Sequence, residues 1–193
     1  MSDNALTALL KQIRACKICA EELAHEPRPI VQGSTQATIA IIGQAPGLAV
    51  HRSGVPWDDP SGDRLRHWLG LDRATFYGPQ VALIPMGFCY PGRGKSGDLP
   101  PDPRCAPHWH AQLLGLLPRV GVTLLVGAYA QKYYLDVGRQ SLTEIVRDYT
   151  AYQPQFFPLP HPSPRNNIWL SKNPWFEQKV IPALRRRMHQ SGL

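Results

Sequence analysis

Four cysteines are the residues of this chain whose type and spacing point most directly to chemistry. Cys16 and Cys19 form a Cys-x-x-Cys pair near the start, and Cys89 and Cys105 follow with fifteen residues between them. A Cys-x-x-Cys pair places two sulfurs on one turn, and a second pair folded against it completes a four-thiolate site. Such a set suits a zinc ion or an iron–sulfur cluster, and the spacing alone does not separate the two.

Two other interpretations of the cysteines compete with a metal site. Disulfides require an oxidising compartment, yet the first sixteen residues form an amphipathic polar segment without the apolar core of a secretion signal. Unligated cysteines are commonly buried as small apolar side chains. We favour the metal site, because all four cysteines fall into two pairs and the chain has no others.

The composition predicts one globular domain over residues 1–193 with a basic surface. At this length a chain can bury a core large enough to fold without covalent staples. The net charge of +7 favours a polyanionic partner, with nucleic acid as the first candidate. No stretch approaches eighteen consecutive apolar residues, so we expect no membrane span and a cytoplasmic protein, associated with the nucleoid if it is bacterial.

Short apolar strands that alternate with helices predict an α/β fold. Buried strands are expected at residues 38–42, 81–85, 122–126 and 155–159. Helices are expected at residues 5–13, at 61–71 with Ser61 as N-cap, at 107–117 and 128–135, after the Ser141-x-x-Glu144 capping box, and from Asn173-Pro174 to about residue 189, kinked or split at Pro182. The pattern indicates a central four-stranded, mainly parallel sheet flanked by helices.

Three loops beside these strands carry residues that could do chemistry. The GQAPG loop at residues 43–47 could bind a developing anion through backbone N–H groups, although it could equally be a plain turn. In the HPSPRN loop at residues 161–166, prolines would hold His161 in a fixed pose, whereas a lone loop histidine is often a surface residue. Trp57, next to Pro56, could stack on a base or pack into the core.

Together these motifs resemble those of the uracil-DNA glycosylase superfamily. The resemblance rests on GQAPG after the first strand, GVPW followed by a Ser-Gly-x-x-Leu helix, and HPSP after the last strand. The cysteine pattern is similar to that of the iron–sulfur family 4 enzymes. The resemblance covers nearly the whole chain and implies the uracil-DNA glycosylase fold. It also implies removal of uracil or another deaminated base from DNA after the base is flipped into a pocket.

The resemblance also implies roles for individual residues. It assigns catalysis to His161, which would donate a hydrogen bond to the O2 atom of the departing base anion, and to Gln44, which would orient the attacking water. The implied base-binding residues are Gly43, Ala45, Pro46, Trp57, Pro85 and Met86. The implied DNA-contacting residues are Ser163, Pro164, Arg165 and Asn166. Cys16, Cys19, Cys89 and Cys105 would bind a structural [4Fe–4S] cluster, and the partner would be DNA containing a damaged base, bound by a monomer.

Four positions depart from the family pattern. Gln44 stands where family 4 has a glutamate, and Ala45 where the fast uracil enzymes have an aspartate, so this loop lacks a carboxylate to activate water. Trp57 replaces the usual phenylalanine, and Pro85 replaces the asparagine that recognises uracil. Loss of that amide could cost about 1–3 kcal/mol of base discrimination. We therefore expect recognition by a backbone group near residues 86–87, or a different preferred base.

These residues leave three hypotheses for function. A monofunctional glycosylase fits best, because the matched motifs contain no lysine for a Schiff base and residues 90–104 contain no histidine for a covalent link to the sugar. His51 and His110 lie outside the motifs and are interpreted as non-catalytic. The second hypothesis is a non-catalytic iron–sulfur DNA-binding protein of the same fold. The third is a zinc-stapled α/β protein that acts on a small anionic ligand.

Overall fold

The fold is built on a four-stranded sheet whose strands all run parallel. The structure is a computed structural model that describes residues 2–193. The sheet contains β1 (Ile39–Gly43), β2 (Val81–Pro85), β5 (Val122–Val126) and β6 (Phe156–Leu159), in the order β2-β1-β5-β6, and a separate antiparallel hairpin joins β3 (Arg93–Gly94) to β4 (Gly97–Asp98). Each strand of the sheet lies within one residue of its predicted range, so the α/β prediction is confirmed.

Helices cover both faces of the sheet. They are α1 (Ser2–Arg14), α2 (Leu48–Ser53), α3 (Pro60–Leu69), α4 (Arg73–Phe76), α5 (Cys105–Gly115), α6 (Ala128–Tyr134), α7 (Leu142–Arg147), α8 (Asn167–Lys172) and α9 (Ile181–Gln190). Successive strand side chains point to opposite faces. Ala40 and Ile42 therefore pack into a core shared with α1 and α5, while Ile39 and Ile41 pack into one shared with α3 and α9. No helix within residues 2–193 combines the length and apolar character that crossing a membrane requires.

The start of α3 differs from the prediction. Ser61 was expected as the N-cap, but the helix begins at Pro60 and Asp59 is the N-cap. The Asp59 carboxylate accepts a hydrogen bond from the N–H of Gly62 at 2.8 Å. The N–H of the first helical residue has no acceptor inside the helix. Proline, which lacks an N–H, therefore costs the helix no hydrogen bond at this position. The Asp59-Pro60 pair therefore outcompetes Ser61 as the helix start.

The remaining predicted helix features are close to the observed ones. Ser141 and Glu144 form the expected reciprocal capping box at the start of α7. The C-terminal helix is split near Pro182, as expected: a π-helical turn at Phe176–Val180 precedes α9, and Pro182 lies in the first turn of α9. Proline cannot donate the regular backbone hydrogen bond, so the wider turn before it accommodates the missing donor.

Candidate active site

A cavity of about 540 Å³ lies at the carboxyl ends of the parallel strands. Its lining includes Gly43 and Gln44 at the end of β1, Pro85 at the end of β2, Gly127 after β5 and His161 after β6. The two central strands are β1 and β5. After β1 the chain moves outwards to β2 on one side, and after β5 it moves outwards to β6 on the other. Ligands of open α/β sheets bind where the strand order diverges in this way.

Most of the site residues proposed from the sequence come together in this cavity. Those that line it are Gly43, Gln44, Ala45, Pro46, Trp57, Pro85, His161, Ser163, Arg165 and Asn166. Met86 and Pro164 are not among the lining residues. The side chain of Met86 is buried in the core on the α1 and α5 side, and Pro164 begins the short 3-10 turn Pro164–Asn166. The cavity volume falls within the usual range for small-ligand sites.

The backbone of Trp57 is held in an unusual conformation at the cavity wall. Its φ of 57° lies in the left-handed region that bulky residues rarely adopt. Arg66 Nη1 donates to the Trp57 carbonyl at 3.4 Å, and the Tyr77 hydroxyl donates to the preceding carbonyl, that of Pro56, at 2.8 Å. A Cβ at Gly62 would stand 1.8 Å from the Trp57 carbonyl oxygen, so only glycine fits there. These contacts fix the position of the indole ring.

We expect Gly43→Ala to displace the Trp57 ring and slow any chemistry in the cavity. A Cβ at Gly43 would stand 2.6 Å from Cζ2 of Trp57, and the centroid of that ring lies 5.8 Å from that of His161. A misplacement on the order of 1 Å can cost about 10²-fold in rate. The measurement is the single-turnover rate of the base removal that the family resemblance implies. Gly115→Ala is the control, since its Cβ would meet nothing within 4 Å; equal rates in both variants would contradict the expectation.

His161 is a neutral hydrogen-bond donor at the end of β6. Burial lowers the pKa of His161 to about 4, so the ring is uncharged at neutral pH. The Ser163 N–H donates to His161 Nδ1 at 3.2 Å, which assigns the ring proton to Nε2. The backbone is fixed as well, because Asn166 Nδ2 donates to the His161 carbonyl at 2.7 Å. The site therefore presents an Nε2–H donor without a positive charge.

The backbone near Pro85 is already hydrogen-bonded. The N–H groups of Met86 and Gly87 donate to the carbonyls of Gly43 and Gln44, at 2.8 and 3.0 Å respectively. These bonds extend the pairing of β1 with β2 beyond the strands. Both N–H groups thus have partners inside the protein, and the expectation that a backbone group near residues 86–87 recognises the base stays a prediction. By contrast, within residues 2–193 no protein acceptor takes the N–H of Gln44 or Ala45.

The buried side chain of His110 hydrogen-bonds to the backbone of Pro85. It is 1% exposed, and its Nε2 donates to the Pro85 carbonyl at 3.0 Å. A carbonyl can only accept, so Nδ1 is unprotonated and accepts from the Tyr134 hydroxyl at 2.6 Å. Burial lowers the pKa of His110 to about 4. This histidine is a buried support for Pro85, and it does not line the cavity.

We expect the buried neutral His110 to make the protein less stable as the pH falls from about 6.5 towards 4. Its folded pKa lies below its unfolded pKa, so the unfolded chain binds a proton first in this range. The loss amounts to roughly 3 kcal/mol of unfolding free energy at the acid end. His110→Gln cannot titrate and should flatten this part of the profile in urea unfolding at pH 7 and 5. An unchanged slope would contradict the expectation, and His189→Gln at the exposed end of α9 is the control.

Two arginines tie the HPSPRN loop to neighbouring elements. Arg165 Nη1 donates to the Ser96 carbonyl in the β3–β4 hairpin at 2.7 Å. Arg64 Nη1 donates to the Ser163 carbonyl from α3 at 3.2 Å. Sequence reasoning missed the hairpin, although the Gly-rich segment GRGKSGD was a turn signal. It also missed Asp59 in the cavity wall, although Asp-Pro at a helix start was visible.

The sequence of this chain matches a known protein family. The family model "Uracil DNA glycosylase superfamily" matches residues 30–185. The chain belongs to this superfamily. It is also 23% identical over 148 residues to the type-4 uracil-DNA glycosylase of Sulfurisphaera tokodaii, across 75% of this chain and 64% of that protein. The chain thus aligns with less than two thirds of that relative's length, and the superfamily resemblance inferred from the sequence is confirmed.

The four cysteines of this superfamily member are free thiols, each half-buried. Burial raises the pKa of Cys89 and of Cys105 to about 12, and the Cys16 and Cys19 thiols add to both shifts. Within residues 2–193, however, no group of three or more Cys, His, Asp or Glu side chains is placed to hold a single metal ion. The predicted ligand set therefore stays a prediction.

A few groups next to the thiols favour a negative charge on sulfur. The Phe88 N–H donates to Cys105 Sγ at 3.3 Å, and Cys105 is the first residue of α5, where the helix dipole favours a negative charge. The Arg28 N–H lowers the pKa of Cys89, and the Arg104 side chain lowers that of Cys19, although burial dominates both shifts and raises the pKa. Burial favours the protonated forms of Cys19, Cys89 and Cys105, so only these local donors fit a group that binds deprotonated sulfur.

Proposed function

We propose that this superfamily member is a monofunctional DNA glycosylase that excises uracil or another deaminated base and leaves an abasic site. The observation that carries the proposal is the neutral His161, whose Nε2–H is a free donor in a cavity beside the Trp57 ring. The glycosidic bond of a stacked base is out of reach, so the base must be flipped into such a cavity.

The residues of the cavity can stabilise a base that departs as an anion. When the bond between the base and C1′ breaks, its electrons remain on the base, and His161 Nε2–H donates to the developing charge on O2. The free N–H groups of Gln44 and Ala45 add two further donors. The Trp57 ring offers a stacking surface worth roughly 1–3 kcal/mol for a flipped base. A neutral histidine suits this task, because it keeps its own proton.

The DNA strand would run past the HPSPRN loop. Ser163, Arg165 and Asn166 line the cavity mouth, and the hydroxyl and amide groups of this loop are suitable donors to phosphate oxygens. The net charge of +7 supports binding to DNA, with an affinity that falls as salt rises. The lining described within residues 2–193 contains no lysine, so no Schiff base with the sugar is expected and the protein acts without lyase chemistry.

We also propose a [4Fe–4S] cluster bound by Cys16, Cys19, Cys89 and Cys105. These four residues would hold the cluster as thiolate ligands. The two cysteine pairs of the sequence support this proposal. When bound, the cluster supplies a structural cross-link between the N-terminal segment and α5, because base excision needs no electron transfer.

A non-catalytic DNA-binding protein of the same fold is the second candidate. Pro85 favours it, since its side chain offers no hydrogen bond and its carbonyl is taken by His110. The test is a panel of labelled oligonucleotides with uracil, hypoxanthine or xanthine, single-stranded and paired, followed by alkali cleavage of abasic sites. Cleavage of one substrate supports the glycosylase and names its base. A protein that binds DNA with an intact cluster but cleaves none would favour the second candidate.

A further inference from the structure

The proposed reaction requires water to attack the sugar, yet the loop after β1 has no carboxylate to activate it. Gln44 and Ala45 are neutral. The cavity lining within residues 2–193 nevertheless contains two acidic side chains, Asp59 and Asp98. Both approach the same point, because a Cβ at Gly47 would stand 4.0 Å from Asp59 Oδ2 and 3.4 Å from Asp98 Oδ2. A carboxylate is thus available next to the loop that lacks one.

We propose that Asp59 is the catalytic base that accepts a proton from the attacking water. The inference rests on the proposed glycosylase function and extends it to a residue that none of the recognised motifs assigns. Asp59 follows Trp57 by two residues, so the same short segment carries the stacking ring and the base.

The two oxygens of Asp59 are used differently. Oδ1 accepts the Gly62 N–H at 2.8 Å and caps α3, which fixes the carboxylate on a rigid element. Oδ2 is the oxygen closest to Gly47 and has no hydrogen-bonding side-chain partner within residues 2–193. Burial raises the pKa of Asp59, with Asp63 adding to the rise, while the N–H groups at the helix start and the Arg66 side chain oppose it. A carboxylate of raised pKa is a better proton acceptor.

Asp98 is the weaker choice for this role. Its side chain is exposed on the two-residue strand β4, whereas Asp59 is half-buried at the start of a ten-residue helix. An exposed carboxylate is strongly hydrated and removes a proton from a bound water less readily.

The bond between C1′ and the base nitrogen breaks, and its electron pair leaves with the base. A water oxygen forms the new bond to C1′, and one of its protons moves to Asp59 Oδ2. That proton then passes to the departed base or to solvent, which restores the carboxylate. No other reactant is needed, and His161 keeps its proton throughout.

The test compares single-turnover excision by the cluster-containing wild type and Asp59→Asn, on the panel substrate that the wild type cleaves fastest. Asparagine keeps a side-chain oxygen for the Gly62 N–H and is as good an N-cap, so the fold should be retained. We expect the rate to fall by about 10²- to 10³-fold, with DNA affinity unchanged or higher. Asp72→Asn, which alters the N-cap of α4 outside the cavity, is the control.

Two further variants separate a chemical role from a structural one. Gln44→Glu combined with Asp59→Asn returns a carboxylate to the same cavity and should recover part of the lost rate, which a purely capping role would not allow. Asp98→Asn should reduce the rate far less than Asp59→Asn. If Asp59→Asn excises the base as fast as the wild type, this inference is wrong and the proposed function stands. The same holds if Asp98→Asn loses more activity than Asp59→Asn. A wild type that excises no base overturns both this inference and the proposed function.

Discussion

We expect His161→Ala to slow base excision by about 10²- to 10⁴-fold while DNA affinity changes little. The imidazole presents its Nε2–H to the cavity, because its other nitrogen accepts the Ser163 N–H. Removing it leaves the departing anion with backbone donors alone. The measurement is the single-turnover rate beside the dissociation constant for the same oligonucleotide.

Two further substitutions sharpen this experiment. His161→Gln keeps an N–H donor of similar reach and should retain more activity than alanine. His189→Ala, on the exposed end of α9, controls for the loss of a histidine far from the cavity. Equal excision by wild type and His161→Ala would refute the role of His161. Loss of DNA binding together with excision would show that the residue organises the loop instead.

The absence of a charged partner explains why His161 can remain neutral. Burial is the only cause of its lowered pKa, so within residues 2–193 no carboxylate is close enough to raise it. Its orientation comes from the Ser163 N–H and the Asn166 amide, both in its own loop. The prolines at 162 and 164 limit the conformations of that loop. A rigid loop thus supplies the orientation that a second side chain would otherwise provide.

The strands and the site loops could be predicted from the sequence because their signals are local. TIAII and VTLLV are β-branched, apolar and short, which identifies strands buried on both faces. Parallel strands place their carboxyl ends together, so GQAPG and HPSPRN had to meet at one edge of the sheet. The capping box at Ser141 and the split at Pro182 were equally local.

Features that depend on tertiary contacts could not be predicted in this way. The Met86 and Gly87 N–H groups bond to the carbonyls of Gly43, the last residue of β1, and of Gln44 just after it, which no pattern in their own segment reveals. The left-handed backbone of Trp57 depends on the contacts of Arg66 and Gly62 with its carbonyl. Asp59 was overlooked because Ser61 also suits an N-cap, and only the structure shows which of them is used.

We expect replacement of either cysteine pair by serine to remove the proposed cluster completely. The first double variant carries Cys16→Ser and Cys19→Ser, and the second carries Cys89→Ser and Cys105→Ser. If one cluster holds both pairs, the two variants should lose the same amount of iron and sulfide. A cross-link between Cys19 and Cys89 closes a loop of about 70 residues, worth roughly 4 kcal/mol by loop-closure entropy. Iron and sulfide content, visible absorption and urea unfolding are the measurements.

The N-terminal pair makes the more informative variant, because α1 is also held by apolar packing. Leu6, Leu9, Leu10 and Ile13 are buried in the core that α1 shares with α5. With the cluster lost, this packing should keep α1 in place at low urea, so the protein unfolds earlier but the folded fraction still excises the base. A chemical role for the cluster would instead abolish excision in the folded fraction. Stoichiometric zinc in the wild type, or loss of only half the metal from each variant, would contradict one shared iron–sulfur cluster.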